Sequence, residues 1–187
     1  SLFASDDAFL REKAIELITR TGKKELALPL LLLVLNDENA LVRYKCESAF
    51  KEMYEGGGPD FKSISQLVFH KNKDIRVNAC RMLGSFSDHY DENAEILSKA
   101  SNDPDNEVAE TARNSFEIIQ SLKMLASEDE IEKEIASDML VDKRESSVWA
   151  ISRRLFSDSK DIKAGAIGIL KKMGVFSSKA SKDLIYL

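Results

Sequence analysis

A step made of one apolar residue and one basic residue recurs along this chain at nearly constant spacing. The first three copies are separated by 32 and 33 residues, and a fourth copy, with alanine in place of the base, follows after another 33. The last copy lies 54 residues further on. The five steps are Leu10-Arg11, Val42-Arg43, Ile75-Arg76, Val108-Ala109 and Ile162-Lys163. A period of this length is typical of proteins whose short helical units stack in a row.

Small and large residues follow each step at fixed offsets. The small residues, three positions after the step, are Ala14, Cys46, Ala79, Ala112 and Ala166. The large residues, seven positions after it, are Ile18, Phe50, Leu83, Phe116 and Leu170. A small side chain lets a neighbouring backbone approach, and a large one fills the layer below it, so the pattern predicts closely packed helices. Close helix approach is also the expected role of Gly165 and Gly168.

Between these steps the sequence predicts pairs of short helices. Apolar residues recur every three or four positions in 40–53 and 75–86, and a shorter amphipathic helix in 61–68 follows the Gly- and Pro-containing stretch 56–60. The polar turns within the pairs are 36–39, 71–74, 102–105 and 157–160. In the third turn, Asp103 before Pro104 predicts a capped helix start. No segment shows sustained strand alternation, so we predict an all-α chain of ten or eleven helices.

The residues at these turns resemble HEAT repeats. Segment 37–43 has an Asp and an Arg six residues apart, as that family does, and 74–76 and 161–163 have the shorter acidic-apolar-basic form. In the family these charges form a ladder along the inner layer of helices, which Ala109 would interrupt. One copy of such a motif is weak, whereas the same phase at five places is fairly specific.

The resemblance covers roughly 5–121 and 144–187. It implies one domain, 1–187, folded as a right-handed α-solenoid of stacked antiparallel helix pairs, because a single pair cannot bury its apolar face alone. Segment 122–143 departs from the repeat, and we expect it to form an irregular insert that contains a helix.

The resemblance also implies a function. Solenoids of this family bind partners on the concave surface that their second helices line. We therefore expect a non-catalytic scaffold or adaptor for protein–protein interaction, without a cofactor or a metal. The basic residues expected on that surface are Arg43, Lys45, Arg76, Arg81 and Arg113. An acidic segment of another protein, or of a second copy, would suit these charges, but the sequence does not identify the partner.

The charges are unevenly distributed along the chain. Residues 1–87 hold 13 basic and 12 acidic side chains, residues 88–142 hold 4 and 16, and residues 143–187 hold 10 and 4. Adjoining fields of opposite sign can steer a charged partner. The alternative explanation is a solubilising surface whose charges are grouped partly by chance. The formal net charge of −5 lacks the strongly basic balance of typical nucleic-acid-binding domains.

The basic C-terminal part leaves nucleic-acid binding as an alternative function. Its cations are Lys143, Arg144, Arg153, Arg154, Lys171 and Lys172. A module of the DNA alkylation-repair type, which resembles HEAT repeats, would combine such cations with Trp149 and Asp158 or Asp161. However, neighbouring residues on a helix diverge by about 100°, so each pair presents only part of its charge to one surface. Aromatic residues, on which nucleobases could stack, are not interleaved with these basic residues either.

The residues capable of catalysis or metal binding are few and scattered. Cys46 and Cys80 stand at or beside the small-residue position, which predicts packing rather than zinc binding. His70 and His89 are expected in exposed loops and not as general bases. A bilin-lyase-like HEAT subunit is a further alternative, because such subunits resemble these repeats, although no residue indicates a chromophore site.

The sequence also bears on location. Its longest apolar run, from Leu26 to Leu35, is interrupted by Pro29 and is far shorter than the ~20 residues of a membrane span. Two cysteines and no Asn-x-Ser/Thr acceptor favour the reducing cytoplasm. Because the first residue is Ser1 rather than methionine, we expect a tag remnant or a segment of a longer protein.

Overall fold

The computed structural model describes residues 2–35, 37–54, 61–84, 89–156 and 160–174. The stretch 56–60 and most of the turn 157–160 lie outside the described residues, as does the side chain of Trp149. Contacts group the described chain into two compact units, unit 1 up to Ala79 and unit 2 from Cys80. One continuous domain therefore stays a prediction.

Every regular element of the described residues is helical. They form ten α-helices, two short 3-10 turns and no β-strand, which confirms the all-α fold class and the number of helices. The helices are α1 (Ala8–Arg20), α2 (Lys24–Leu32), α3 (Ala40–Met53), α4 (Phe61–Leu67), α5 (Lys73–Leu83), α6 (Tyr90–Ala100), α7 (Asn106–Met124), α8 (Glu130–Asp142), α9 (Glu145–Arg153) and α10 (Lys160–Met173). None of these helices is both long enough and apolar enough to cross a lipid bilayer.

The starts of α1, α3 and α7 share one local pattern. The residue before each helix, Asp7, Asn39 or Asp105, accepts a hydrogen bond from a first-turn N–H group with its side-chain oxygen. The prediction that Asp103 caps the helix was wrong. Its carboxylate instead accepts from the N–H of Asp105 at 2.9 Å. Ser5 and Asp37 accept in the same way from the N–H two residues on, so this bond does not depend on Pro104, and Asp105 caps the helix.

The small-residue position of the sequence repeat is buried in every copy. The residues, each at most 3% exposed, are Ala14, Cys46, Ala79, Ala112 and Ala166. In unit 1, α1 packs along α3. In unit 2, α7 packs against α6 and α8, and α8 packs against α10. The phase read from the sequence therefore identifies the core side of each of these helices.

Glycine permits a close approach at one position and not at the two predicted ones. A Cβ atom on Gly84, just after α5, would lie 2.9 Å from the Cβ of Ser115 in α7. A larger residue would force these segments of unit 2 apart. The prediction for Gly165 and Gly168 was wrong, because a Cβ atom on either would meet no described atom within 4 Å. Both glycines lie on the exposed side of α10.

Segment 122–143 comprises the end of α7, a turn and the whole of α8. Asp129 starts α8 by accepting from the N–H of Ile131 at 2.8 Å. Leu122 and Leu140 are fully buried in the same apolar cluster as Ile151 of α9 and Leu170 of α10. The segment that departs from the sequence repeat therefore contributes to the core of unit 2.

Candidate functional site

Three arginines of the sequence repeat make the same contact. Each donates from Nη1 to the carbonyl oxygen six residues earlier, in the turn before its own helix. The pairs are Arg11 with Ser5 (2.6 Å), Arg43 with Asp37 (2.7 Å) and Arg76 with His70 (2.9 Å). Arg43 and Arg76 also donate to the carbonyl oxygen five residues earlier, at 3.1 and 3.3 Å. Because hydrogen bonds from charged donors are strong, each arginine ties its turn to the following helix.

The residue that supplies this carbonyl oxygen has a second role. Its side chain accepts from the backbone N–H of the helix-capping residue two positions later. The acceptors are Ser5 Oγ (3.2 Å), Asp37 Oδ1 (2.9 Å), His70 Nδ1 (3.0 Å) and, before α7, Asp103 Oδ1 (2.9 Å). Since Nδ1 of His70 accepts, the neutral ring carries its proton on Nε2. The local chemistry of the turn is therefore common to all four copies.

Arg11 also forms a buried ion pair with Asp37. Its Nε and Nη2 atoms donate to the two carboxylate oxygens of Asp37 at 2.6 and 2.7 Å. The two side chains are only 8% and 7% exposed. The hydrogen bonds to the Asp37 side chain raise the pKa of Arg11, against the opposing effect of burial. The pair joins α1 to the turn before α3, which stabilises unit 1 and leaves little of either group for a ligand.

The turn before α7 lacks the arginine. Ala109 occupies the equivalent position and is buried. Arg113, one helical turn further along α7, donates from Nη1 to the carbonyl oxygen of Ser101 at 3.1 Å. Arg113 is exposed to solvent, so its charge is better screened than that of Arg11.

An exposed mixed surface lies on the two packed helices of unit 1. We name it the α1–α3 face and define it by Phe9, Lys13, Glu16, Leu41, Tyr44 and Lys45. Phe9 is 59%, Leu41 42% and Tyr44 37% exposed. These are large apolar groups in contact with water, on adjacent helices, and they are the kind of side chain that anchors a bound protein.

The charges of the α1–α3 face centre on Glu16. Its carboxylate oxygens lie 2.7 Å from Nζ of Lys13 and 3.4 Å from Nζ of Lys45, which links α1 to α3. The hydrogen bond from Lys13 is the main reason that the pKa of Glu16 is lowered. The ammonium group of Lys13 also lies 5.4 Å from the centre of the Phe9 ring, in a cation–π contact. Two lysines thus share one carboxylate, and the trio keeps a net positive charge.

The five binding residues expected from the sequence fall in both units. Lys45 lies on the α1–α3 face of unit 1. Arg43 and Arg76 are half-buried, and their guanidinium groups contact the turns. Arg81 and Arg113 belong to unit 2 and are exposed. Their assembly into one concave surface stays a prediction.

The sequence prediction considered basic side chains and missed the apolar members of the α1–α3 face. A usable signal was present for two of them. Phe9 and Leu41 each stand five residues before the small residue of their repeat. Five positions correspond to about 500° of helical rotation, which turns a side chain well away from the buried side. An apolar residue at that offset is therefore an exposed anchor.

Several of the basic residues that would bind a nucleic acid form contacts with other side chains of unit 2. The contacts are Lys143 with Glu117, Lys172 with Asp138 (3.1 Å) and Arg154 with the hydroxyl of Tyr90 (2.8 Å). Arg144 and Lys171 are exposed, and the side chain of Arg153 lies outside the described residues. A phosphate would have to compete with carboxylates for two of these cations, which weakens the electrostatic attraction on which such binding depends.

The cysteine and histidine side chains take structural positions. Cys46 and Cys80 are fully buried, as the packing prediction requires, and Sγ of Cys46 lies 3.3 Å from the carbonyl oxygen of Leu31. His70 is half-buried in its turn, whereas His89 is exposed, with Nδ1 3.8 Å from a carboxylate oxygen of Glu92. In the described parts of both units, no three His, Cys, Asp or Glu residues are grouped so that they could hold a metal ion.

Comparison with known proteins does not place the chain in a family. No protein-family model matches the sequence, and no curated protein is found to be similar to it. The resemblance to HEAT repeats therefore rests on the residues of the turns, on their period and on the recurring arginine contact.

Proposed function

We propose that this chain is a HEAT-like helical-repeat scaffold that binds another protein without catalysing a reaction, and that the α1–α3 face is part of its binding surface. The observation that carries the proposal is the composition of that face. Exposed aromatic and aliphatic side chains stand beside charged groups on two helices that pack together. Protein interfaces combine the same elements, with apolar anchors surrounded by polar contacts.

The recurring turn supports the repeat part of this proposal. An arginine, a capping residue and a side-chain acceptor recur in fixed register before α1, α3 and α5, with a period of 32 and 33 residues. Identical local contacts at a constant period are expected if each helical pair stacks on the next in the same way. The right-handed solenoid, its concave surface and a cytoplasmic location belong to the same proposal.

Electrostatics indicate what kind of partner the α1–α3 face would accept. Lys13 and Lys45 share the carboxylate of Glu16, so a second carboxylate brought by a partner would complete the arrangement. Phe9 and Tyr44 offer exposed aromatic rings on the same two helices. An acidic peptide segment with aromatic or aliphatic side chains therefore fits best. Attraction of this kind acts mainly on the association rate and weakens as salt increases.

The test is affinity capture from a nuclease-treated native extract, with wild-type protein and a double variant, Leu41→Ser with Tyr44→Ala. We expect the double variant to lose specific protein partners that the wild type retains. Leu26→Ser is the matched control, because Leu26 is equally apolar and 56% exposed but lies on α2. If the double variant and the control retain the same proteins, the α1–α3 face is not the binding surface.

A titration with duplex DNA at low salt separates the proposal from the nucleic-acid alternative. Phosphate attraction is strongest when counterions are few. We expect no saturable binding of the duplex under these conditions. Tight binding that is lost in a Lys171→Glu variant would instead assign the function to the basic part of unit 2.

A further inference from the structure

The outer side of α1 carries two leucines at positions that are buried in the next three copies of the repeat. Leu10 is 39% and Leu17 is 56% exposed. The residues equivalent to Leu10, one or more periods along the chain, are Val42, Ile75 and Val108, and those equivalent to Leu17 are Ala49, Met82 and Ser115. All six of these residues are at most 4% exposed. In the last copy, Ile169 at the Leu17 position is 3% exposed, but Ile162 at the Leu10 position is 39% exposed, so the difference is specific to α1 at Leu17.

Two junctions show what normally covers these positions. In unit 1, α1 packs along α3, the helix that carries Val42 and Ala49. In unit 2, Ser115 of α7 lies directly against Gly84, at the end of α5. Both positions thus lie on the side of a helix against which a helix of the same type packs.

We propose that a second copy of this chain covers the outer side of α1, in a symmetric dimer whose two α1 helices pack antiparallel. Leu10 and Leu17 are seven residues apart, so they lie two turns apart on one side of the helix. In an antiparallel pair, Leu10 of each copy meets Leu17 of the other.

The charges at the two ends of α1 favour a second copy in this orientation. Asp6 and Asp7 stand at the N-terminal end, and Arg20, Lys23 and Lys24 stand at or just beyond the C-terminal end, all of them exposed. Antiparallel packing places each acidic end beside the basic end of the other copy, whereas parallel packing would place like charges together. The helix macrodipoles also attract each other when the helices run in opposite directions.

The proposed interface is small, so the dimer depends on concentration. One helix-to-helix contact buries less than the ~1,600 Å² that is usual for stable complexes. In sedimentation velocity experiments on the complete chain, we expect the mass to rise with concentration from 21.0 kDa towards twice that value. A mass of one chain at every concentration would overturn the proposal. An open-ended series of higher masses would also overturn it, because a symmetric interface closes at two copies.

Two exposed substitutions identify the face. Leu17→Lys should raise the dissociation constant of the dimer by at least about 100-fold, since the symmetric interface loses one leucine from each copy. Leu41→Lys is the matched control on the α1–α3 face and should leave the dissociation constant unchanged. This control also separates the two proposals, because partner capture depends on Leu41 and dimer formation does not. A dimer that survives Leu17→Lys would contradict the inference.

Disulfide cross-linking tests the direction of the helices. A mixture of Leu10→Cys and Leu17→Cys proteins should form the mixed disulfide, while neither protein alone should cross-link to itself. Parallel packing would give the reverse result. The wild type is the control for Cys46 and Cys80, which are buried and should not react. Circular dichroism of each variant should match the wild type, since both leucines are substantially exposed.

Discussion

The turn before α3 and the turn before α7 begin with the same local chemistry and differ at the position of the repeat arginine. In each, an aspartate side chain accepts from the N–H of the capping residue, and the capping residue accepts from the first helical turn. Before α3, Arg43 also donates to the carbonyl oxygen of Asp37 at 2.7 Å. Before α7, Ala109 stands six residues after Asp103, where the first three copies have arginine.

The difference shows that one set of residues starts a helix and another set holds the preceding turn in place. α7 is the longest described helix, with 19 residues, although its turn lacks the repeat arginine. Its start uses side-chain oxygens within the turn itself. The arginines add contacts between the turn and the helix that follows, and Arg11 adds one to the neighbouring helical pair. The following three predictions are given in order of decreasing effect, and the first two test this separation.

The largest effect is expected for Asp37→Ala. The substitution leaves the guanidinium of Arg11 buried without its carboxylate, which typically costs about 3–5 kcal/mol of the free energy of unfolding. The matched variant is Ser5→Ala in the turn before α1. It removes an acceptor from the N–H of Asp7 but leaves Arg11 paired with Asp37, and it should cost about 1 kcal/mol. Urea denaturation of both variants measures the difference. Equal losses would show that the buried ion pair adds nothing to the turn.

An intermediate effect is expected for Arg76→Ala. It removes donors to two turn carbonyl oxygens from a half-buried position and should lower the free energy of unfolding by about 1.5 kcal/mol. The matched variant is Arg113→Ala, which removes an exposed bond to Ser101 and should cost about 0.5 kcal/mol. Hydrogen exchange at the amides of Asn72 and Asp105 reports each turn directly. Faster exchange at Asp105 than at Asn72 after the respective substitutions would contradict this ranking.

The smallest effect concerns pH and Glu16. Its pKa is lowered in the folded chain, so the ionised carboxylate stabilises the fold above the ordinary pKa of glutamate, about 4.3. This contribution is lost as the pH falls through the lowered folded value. Glu16→Gln should therefore be slightly less stable than the wild type at pH 7 and equally stable once Glu16 is protonated. Denaturation at both pH values, with Glu110→Gln on α7 as the control, checks this. A difference that persists in acid would exclude the ion pairs as its cause.

Features that depend on residues close together in the chain could be predicted from the sequence, and features that depend on distant residues could not. The helices, their phase and the burial of Ala14 and Cys46 could be predicted, because apolar periodicity acts within one element. The predicted cap of α7 lies two residues too early, because Asp103 and Asp105 have the same capping chemistry and only the repeat register, one period after Asn72, distinguishes Asp105. Gly165 and Gly168 were misassigned because a glycine in a helical pattern does not reveal what stands opposite it.

The candidate site was predicted less well than the fold. Lys45 was identified from its charge, whereas Phe9, Leu41 and Tyr44 were passed over because an apolar residue in a repeat is normally assigned to the core. Whether a side chain is covered depends on the neighbouring helix. Leu10 and Val42 show this most clearly, since they occupy the same position of the repeat with 39% and 0% exposure.

The sequence by itself determined the helical class and the period of 32 to 33 residues, since these depend on contacts between near neighbours in the chain. The tertiary structure alone decided that Arg11 is committed to Asp37, that Ser115 meets Gly84 and that the apolar side of α1 stays open. Those outcomes depend on which helices pack side by side. Packing joins residues that are far apart in the chain, and no local pattern specifies that pairing.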